Sequence, residues 1–190
     1  MFVITLVFIS LASGIYLSTK DLVILNESLF QKKAVLYAAD IAIPETAGEI
    51  EKVYQERITE YYADDDAEIS FFGAKDQSGF PSGWVVFASG PGLWGEIVAA
   101  VGFDKNLHTL TGLEFVKQNE TPGLGARITE DWFKDQFRGK KPPLKMVPEG
   151  SASESNEVDA ITGATRTSNA VLRIVHKASD EVERAVGEGR

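Results

Sequence analysis

Cysteine is absent from these 190 residues, which excludes thiolate-ligated zinc and cysteine-ligated iron–sulfur clusters. That absence does not fix the compartment, although it is compatible with an oxidising one. Histidine is almost absent too. His108 and His176 stand far apart and match no metal spacing, so both read as surface or packing residues. Positive charge is scarce: 19 Lys and Arg against 28 Asp and Glu give a net charge of −9. Such a surface repels nucleic-acid phosphates and disfavours docking of the globular part on anionic lipid. No glycine-rich strand–turn–helix with an acidic residue downstream reads a nicotinamide cofactor. Gly123-x-Gly125 lies in a proline loop instead. Neither a Ser-His-Asp nor a Cys-His set is present, and no internal repeat is found.

What is present is an ordinary globular composition, 44% hydrophobic and 25% charged. At this length it supports one domain with a core and a short appendage. Met1 to Leu17 carry no charge and are dominated by Phe, Val, Ile and Leu. As a helix they span about 26 Å at 1.5 Å per residue, just short of a hydrocarbon core of about 30 Å. Membrane anchor, buried core helix and signal peptide are the three readings. The last lacks its basic n-region. Lys20, Lys32 and Lys33 all follow the apolar segment, which sits poorly with a domain on the outer side. Spacing predicts a further helix from Leu22 to Ala42, stopped by Pro44. Another is expected from Ala47 to Tyr62, with Ile50, Val53, Tyr54, Ile58 and Tyr61 on one side. Asp64-Asp65-Asp66 reads as a solvated acidic turn.

The centre is strand-like. Glu68–Phe72 and Trp84–Ala88 are short runs separated by Gly, Ser and Pro. Gly95–Phe103 suits a fully buried strand. It reads as a hairpin with Leu107–Lys117 across the turn Asp104-Lys105-Asn106, with Leu107, Thr109, Thr111, Leu113 and Phe115 on one face. Arg127–Phe137 looks helical, Lys140-Lys141-Pro142-Pro143 breaks the chain, and Leu144–Val147 reads as an edge strand. Pro148–Glu157 is polar and expected to be a mobile loop. The last segment repeats apolar residues at Val171, Leu172, Val175, Ala178, Val182 and Val186, an amphipathic helix.

That last helix starts beside the most informative stretch, Asp159-Ala160-Ile161-Thr162-Gly163-Ala164-Thr165. Thr165 falls at or just before the first helical turn. There, unpaired N–H groups and the positive dipole end suit an anion such as a phosphate. Gly163 frees the backbone to turn and lets a bulky group approach. Thr162, Thr165, Thr167 and Ser168 are equally competent helix caps, and that reading stays open on the residues alone. Two further segments stand out, Gly90-Pro91-Gly92-Leu93-Trp94-Gly95 and Glu120-Thr121-Pro122-Gly123-Leu124-Gly125. Each alone also reads as a tight turn with a buried anchor.

The three segments together resemble the FMN-binding domain family, in the order that family has them. The first matches its Asp-x-x-Ser/Thr-Gly-Ala-Thr flavinylation motif at every position. With the apolar N-terminus, the layout looks most like the G subunits of Rnf complexes, and is similar to the longer C subunits of sodium-pumping NADH:quinone oxidoreductases. The resemblance implies FMN joined by a phosphoester to Thr165, installed by a separate flavin transferase. Thr is a weak nucleophile without an adjacent base, and none is visible in the motif. It implies cofactor contacts from Thr162, Gly163, Ala164, Leu93, Trp94, Glu120, Thr121, Gly123, Leu124 and Arg166, with Asp159 recognised by the transferase. Asn169 would support the first helical turn. Arg166 would either pair with the phosphodiester or stand exposed.

The expected fold is α+β: a small antiparallel sheet with flanking helices, preceded by one N-terminal transmembrane helix. Residues 1–19 form the anchor, 20–66 a helical N-terminal part, and 67–190 the FMN-binding domain. The implied function is an electron-carrier subunit, with no catalytic residues of its own, in a membrane ion-translocating ferredoxin:NAD oxidoreductase. Other subunits are its partners and the domain faces outside the cytoplasm. A stand-alone extracytoplasmic flavoprotein or a flavin-binding sensor with the same domain is the alternative.

Overall fold

The computed structural model describes residues 2–62 and 69–188. It opens with a single 37-residue helix, α1 (Phe2–Ala38). The two helical segments expected before Pro44 are therefore one. The Ser18 and Thr19 hydroxyls donate back to the Ile15 carbonyl at 2.8 and 2.9 Å, so these polar residues are satisfied without breaking the helix. Pro44 does not end it. The Ile41 N–H donates to the Leu36 carbonyl and the Asp40 N–H to the Tyr37 carbonyl, at 2.9 and 3.1 Å. Asp40 takes a left-handed φ of 58°. This C-cap geometry stops the helix at Ala38 by using its last carbonyls.

Helix α2 (Ala47–Arg57) starts at a capping box in which Thr46 and Glu49 bond reciprocally. The expectation of helix as far as Tyr62 is corrected. Ile58–Tyr62 is strand β1, because β-branched and aromatic residues favour a pleated surface and β1 pairs with the next strand. Asp64-Asp65-Asp66 lies outside the described residues. Strands β2 (Ile69–Lys75), β3 (Pro81–Pro91), β4 (Glu96–Asp104) and β5 (Leu110–Lys117) complete an antiparallel sheet ordered β1-β2-β3-β4-β5. The β4–β5 hairpin forms as expected, but Leu107, with a φ of 62°, and Thr109 lie in the turn before β5, and an irregularity in register between Gly102 and Phe103 sends the Thr111 hydroxyl to α1 rather than to the face of Leu113 and Phe115.

Helix was expected throughout Arg127–Phe137. The structure instead has a 3-10 turn at Gly125–Thr129 and a five-residue helix, α3 (Asp131–Asp135). Phe133 and Phe137 are buried and Trp132 faces outward. Strands β6 (Lys145–Val147) and β7 (Glu157–Asp159) pair in parallel, and α4 (Thr165–Glu188) closes the chain.

The sheet is covered on both faces. One face carries the last turns of α1 together with α2, through Ala34, Val35, Leu36, Ile50 and Tyr54. The other carries α4 and the 125–161 region, through Val171, Ile174, Val175, Ile128 and Phe133. Both faces being dry explains why β4 is almost continuously apolar. α1 meets the sheet over Gly102 and Gly112, which are paired across β4 and β5. A Cβ at Gly102 would lie 1.9 Å from the Ala38 carbonyl oxygen, and one at Gly112 2.7 Å from that of Tyr37. The Thr111 hydroxyl donates to the Ala38 carbonyl at 2.6 Å. Arg138 adds an ion pair to Asp40 at 2.7 Å and lies over the Tyr37 ring. Along the N-terminal part of α1, Phe2 to Leu25 are exposed. α1 is long and apolar enough to cross a membrane.

Candidate functional site

The turn that delivers α4 is built by its own side chains. Ala160 N–H continues the β6–β7 pairing by donating to the Val147 carbonyl at 2.8 Å. Ile161 is buried, and its N–H donates to the Ser168 hydroxyl at 3.0 Å. Ser168 in turn donates to the Ala164 carbonyl at 3.1 Å. Gly163 adopts a φ of 81°, where any other residue is strained. Its missing Cβ would lie 3.2 Å from Leu124 Cδ2, so Leu124 covers this turn. Thr165 is the first residue of α4 and is exposed. Of the four candidate caps, Thr167 and Ser168 are buried and hydrogen-bonded inward, whereas Thr162 and Thr165 face the rim.

Glu120 connects this turn to both glycine segments. It is 5% exposed. Oε1 accepts the Leu93 and Trp94 N–H groups at 2.9 and 3.0 Å, and Oε2 accepts the Thr167 hydroxyl at 2.5 Å. The side chains of Leu93, Trp94 and Leu124 remain largely in solvent, Trp94 at 69% exposure. Exposed apolar groups this large, held beside a helix N-terminus by a backbone tether, are what an incoming planar apolar group requires.

Between α4 and the β6 strand opens a cavity of about 370 Å³ lined by Met146, Val147, Glu149, Ile161, Thr162 and Thr165. Glu149 reaches its rim. One oxygen accepts the Thr162 N–H at 2.7 Å and the other lies 3.8 Å from the Arg127 guanidinium. The Thr162 N–H bond holds the Glu149 carboxyl below the usual range. Arg127 also lies over the Trp132 ring. The loop expected to be mobile is pinned at several points. Asp159 Oδ1 accepts the Ser151 and Ala152 N–H groups at 2.9 and 2.8 Å. Glu157 accepts those of Ser153 and Glu154, which lowers its carboxyl as well.

The structure thus brings Leu93, Trp94, Glu120, Leu124, Thr162, Gly163, Ala164 and Thr165 into one region. Thr121 and Gly123 are exposed on the loop beside it, and the Thr121 carbonyl accepts the Leu124 and Ala126 N–H groups at 3.1 Å. Arg166 is exposed. Ala164 is buried beneath the turn rather than on the rim. Arg127, Glu149, Thr167 and Ser168 join the site although sequence reasoning did not select them for it. Nothing local marks Glu149 or Arg127. Thr167 and Ser168 were visible only as possible caps.

The result is a cavity at the N-terminal end of α4, where the helix end favours an anion. Leu124 over Gly163 links it to the two glycine turns, which carry the exposed apolar side chains of Leu93, Trp94 and Leu124. The helix end at the exposed Thr165 and the exposed apolar side chains of Leu93, Trp94 and Leu124 fit the phosphate and the ring of a flavin mononucleotide. Among the described residues no side chain hydrogen-bonds the Thr165 hydroxyl, so nothing here activates it as a nucleophile.

A family model for the FMN-binding domain matches residues 92–180. The chain is 35% identical over 134 residues to the G subunit of an ion-translocating oxidoreductase complex from Methanosarcina acetivorans, covering 70% of this chain and 69% of that protein. It is 44% identical over 82 residues to the G subunit of the Na(+)-translocating ferredoxin:NAD(+) oxidoreductase complex from Acetobacterium woodii, covering 42% of this chain and 39% of that one. Its fold matches the crystal structure of the C subunit of Na(+)-translocating NADH-quinone reductase from Parabacteroides distasonis. That match has a TM-score of 0.70 at 24% identity, over 85% of this chain and 94% of the other.

Proposed function

The chain belongs to the FMN-binding domain family, together with the G subunits of ion-translocating oxidoreductase complexes, and from that premise we propose how it works. It is an FMN-bearing electron-carrier subunit of a membrane complex of Rnf type. Other subunits of that complex are its partners, and it is not a complete enzyme alone. α1 associates it with the membrane. FMN is attached through its phosphate to Thr165 by a flavin transferase that recognises the segment containing Asp159. The domain stands outside the cytoplasm.

One observation carries this reading. The exposed Thr165 hydroxyl opens α4 at the mouth of the 370 Å³ cavity, beside the turn that Leu124 covers. Thr162, Gly163, Thr165 and Asn169 would hold the phosphate end, with Ala164 packed beneath them. Leu93, Trp94 and Leu124 would cover the ring, with Glu120 beneath them and Thr121, Gly123 and Arg166 at the margin. FMN, when bound, supplies the electron storage. The chain's own part is to fix the phosphate at a positive helix end, shield the ring with apolar groups and keep the cofactor from diffusing away.

Intact mass of the full chain, produced with its flavin transferase, tests the attachment. A gain of about 438 Da is expected from a phosphoester formed with loss of water. Thr165→Ala is expected to be folded and colourless, whereas Thr162→Ala keeps some covalent flavin. Flavin on Thr165→Ala refutes the assignment. Protease added to spheroplasts tests orientation: digestion of the domain is expected, and full protection until lysis refutes the outside placement.

A further inference from the structure

Three segments far apart in sequence converge on one carboxylate. Glu120 is buried, and the groups that meet it all donate: two backbone N–H groups and one hydroxyl. A carboxylate satisfies all three as an acceptor. Among the described residues no Lys, Arg or His is ion-paired with it. The backbone on either side has been cleared for it. A Cβ at Gly92 would stand 2.5 Å from Glu120 Oε1, and one at Gly125 2.8 Å from Oε2 and 2.7 Å from Thr167 Oγ1. The Glu120 N–H donates to the Gln118 side chain at 2.7 Å, which fixes the strand exit that carries it.

The Leu93–Trp94 turn closes the β3–β4 hairpin, where the Gly92 N–H donates to the Gly95 carbonyl at 2.7 Å, and the two N–H groups at its tip find their acceptor on Glu120. Trp94 is mostly in solvent and Leu93 about half, so burial contributes only part of what holds their position. Hydrogen bonds to a charged acceptor are roughly twice as strong as neutral ones, and here two of them start from adjacent residues of one turn. Thr167 lies two residues past Thr165 on the same first turn of α4. Holding Thr167 and the 93–94 turn on opposite oxygens of one carboxylate sets the spacing between the apolar Leu93–Trp94 turn and the first turn of α4.

We propose that Glu120 is the positioning residue of this site, locking the Leu93–Trp94 turn to the first turn of α4, and that its buried charge holds the flavin's reduction potential down. The positioning part stands without any flavin. The second part rests on the FMN reading above. Electrons added to the ring bring negative charge toward a carboxylate that is poorly screened and has no cation beside it, so reduction becomes harder.

Two measurements on the full chain in detergent test it. In the flavin-free protein, amide exchange at Leu93 and Trp94 reads the lock directly. Glu120→Ala is expected to lose protection at both amides by about tenfold or more, as loss of charged hydrogen bonds implies. Glu120→Gln keeps most of it, because its amide oxygen accepts the same two N–H groups. If Glu120→Ala does not fold, Glu120→Asp, one methylene short of the turn, is read the same way. Unchanged protection in the alanine or aspartate variant overturns the lock. In the loaded protein, a spectroelectrochemical titration of Glu120→Gln is expected to give a higher flavin potential than the parent, and an unchanged or lower potential overturns the charge effect. A parent chain that never gains the flavin mass would count against the FMN reading, while the exchange result in the flavin-free protein would still decide the lock.

Discussion

Gly102→Ala offers the sharpest test of how the membrane helix is joined to the domain. The added methyl would sit 1.9 Å from the Ala38 carbonyl oxygen, 2.5 Å from its carbon and 2.4 Å from Thr111 Oγ1. Two of these are backbone atoms that cannot rotate away, so α1 must lift from the sheet by about an ångström or more to restore an ordinary contact. Forced overpacking of this kind costs about 1–3 kcal/mol. Lifting the helix also breaks the 2.6 Å bond from Thr111 to the Ala38 carbonyl, adding about 1 kcal/mol or more. A total of about 3 kcal/mol corresponds to a fall in melting temperature of about 10 °C for a domain of this size. Gly112→Ala is the graded control. Its Cβ would meet the Tyr37 carbonyl oxygen at 2.7 Å, so its loss should be smaller. Differential scanning calorimetry of the full chain in detergent reads both. The proposed flavin site at the start of α4 is on the opposite face of the sheet from α1, so the folded fraction of Gly102→Ala should still take up flavin. A melting temperature within about 2 °C of the parent, or a larger loss at Gly112 than at Gly102, would refute the argument.

Other outcomes follow from the same geometry. Gly163→Ala forces a left-handed φ on a residue with a Cβ, about 1–2 kcal/mol, so flavin incorporation should fall with only a small loss of stability. Undiminished incorporation would show that the turn is not under this constraint. The Glu149 and Glu157 carboxyls are both lowered by the N–H groups they accept. The order they impose is therefore present above the ordinary Glu range and lost as pH falls through their depressed values. Protection of the Thr162, Ser153 and Glu154 amides, relative to their intrinsic exchange rates, should be lost only at acid pH, and loss of protection near neutrality would contradict the assignment. Phe8→Lys places a charge amid the exposed apolar residues of α1 at a cost of about 2.5–3.5 kcal/mol on insertion scales. It should move protein from the membrane to the soluble fraction, and unchanged fractionation would count against a span through this segment.

Local pattern accounts for much of this protein. The apolar period from Val171 to Val186 determined α4, because one helical face must be dry. The apolar run of β4 determined a strand buried on both sides. The Asp159–Thr165 segment announced its turn and the start of α4, since a glycine behind a hydroxyl residue suits a left-handed turn into a helix. Local pattern failed where helix and strand were close in preference. Ile58–Tyr62 continues the α2 period, but the free edge of β2 claimed it. Asp40, not Pro44, ended α1, because carbonyls left over at a helix end must find N–H groups wherever the chain turns back. Composition marked Pro148–Glu157 as loose, yet Asp159 and Glu157 accept its N–H groups and hold it. The deepest difference concerns Glu120. Its residue type and loop were plain in the sequence, but its partners at Leu93, Trp94 and Thr167 lie 26 to 47 positions away. Only the closing of the sheet and the docking of α4 bring those donors to one carboxylate. A buried charge is held by what the fold gathers around it, and no spacing along the chain encodes that.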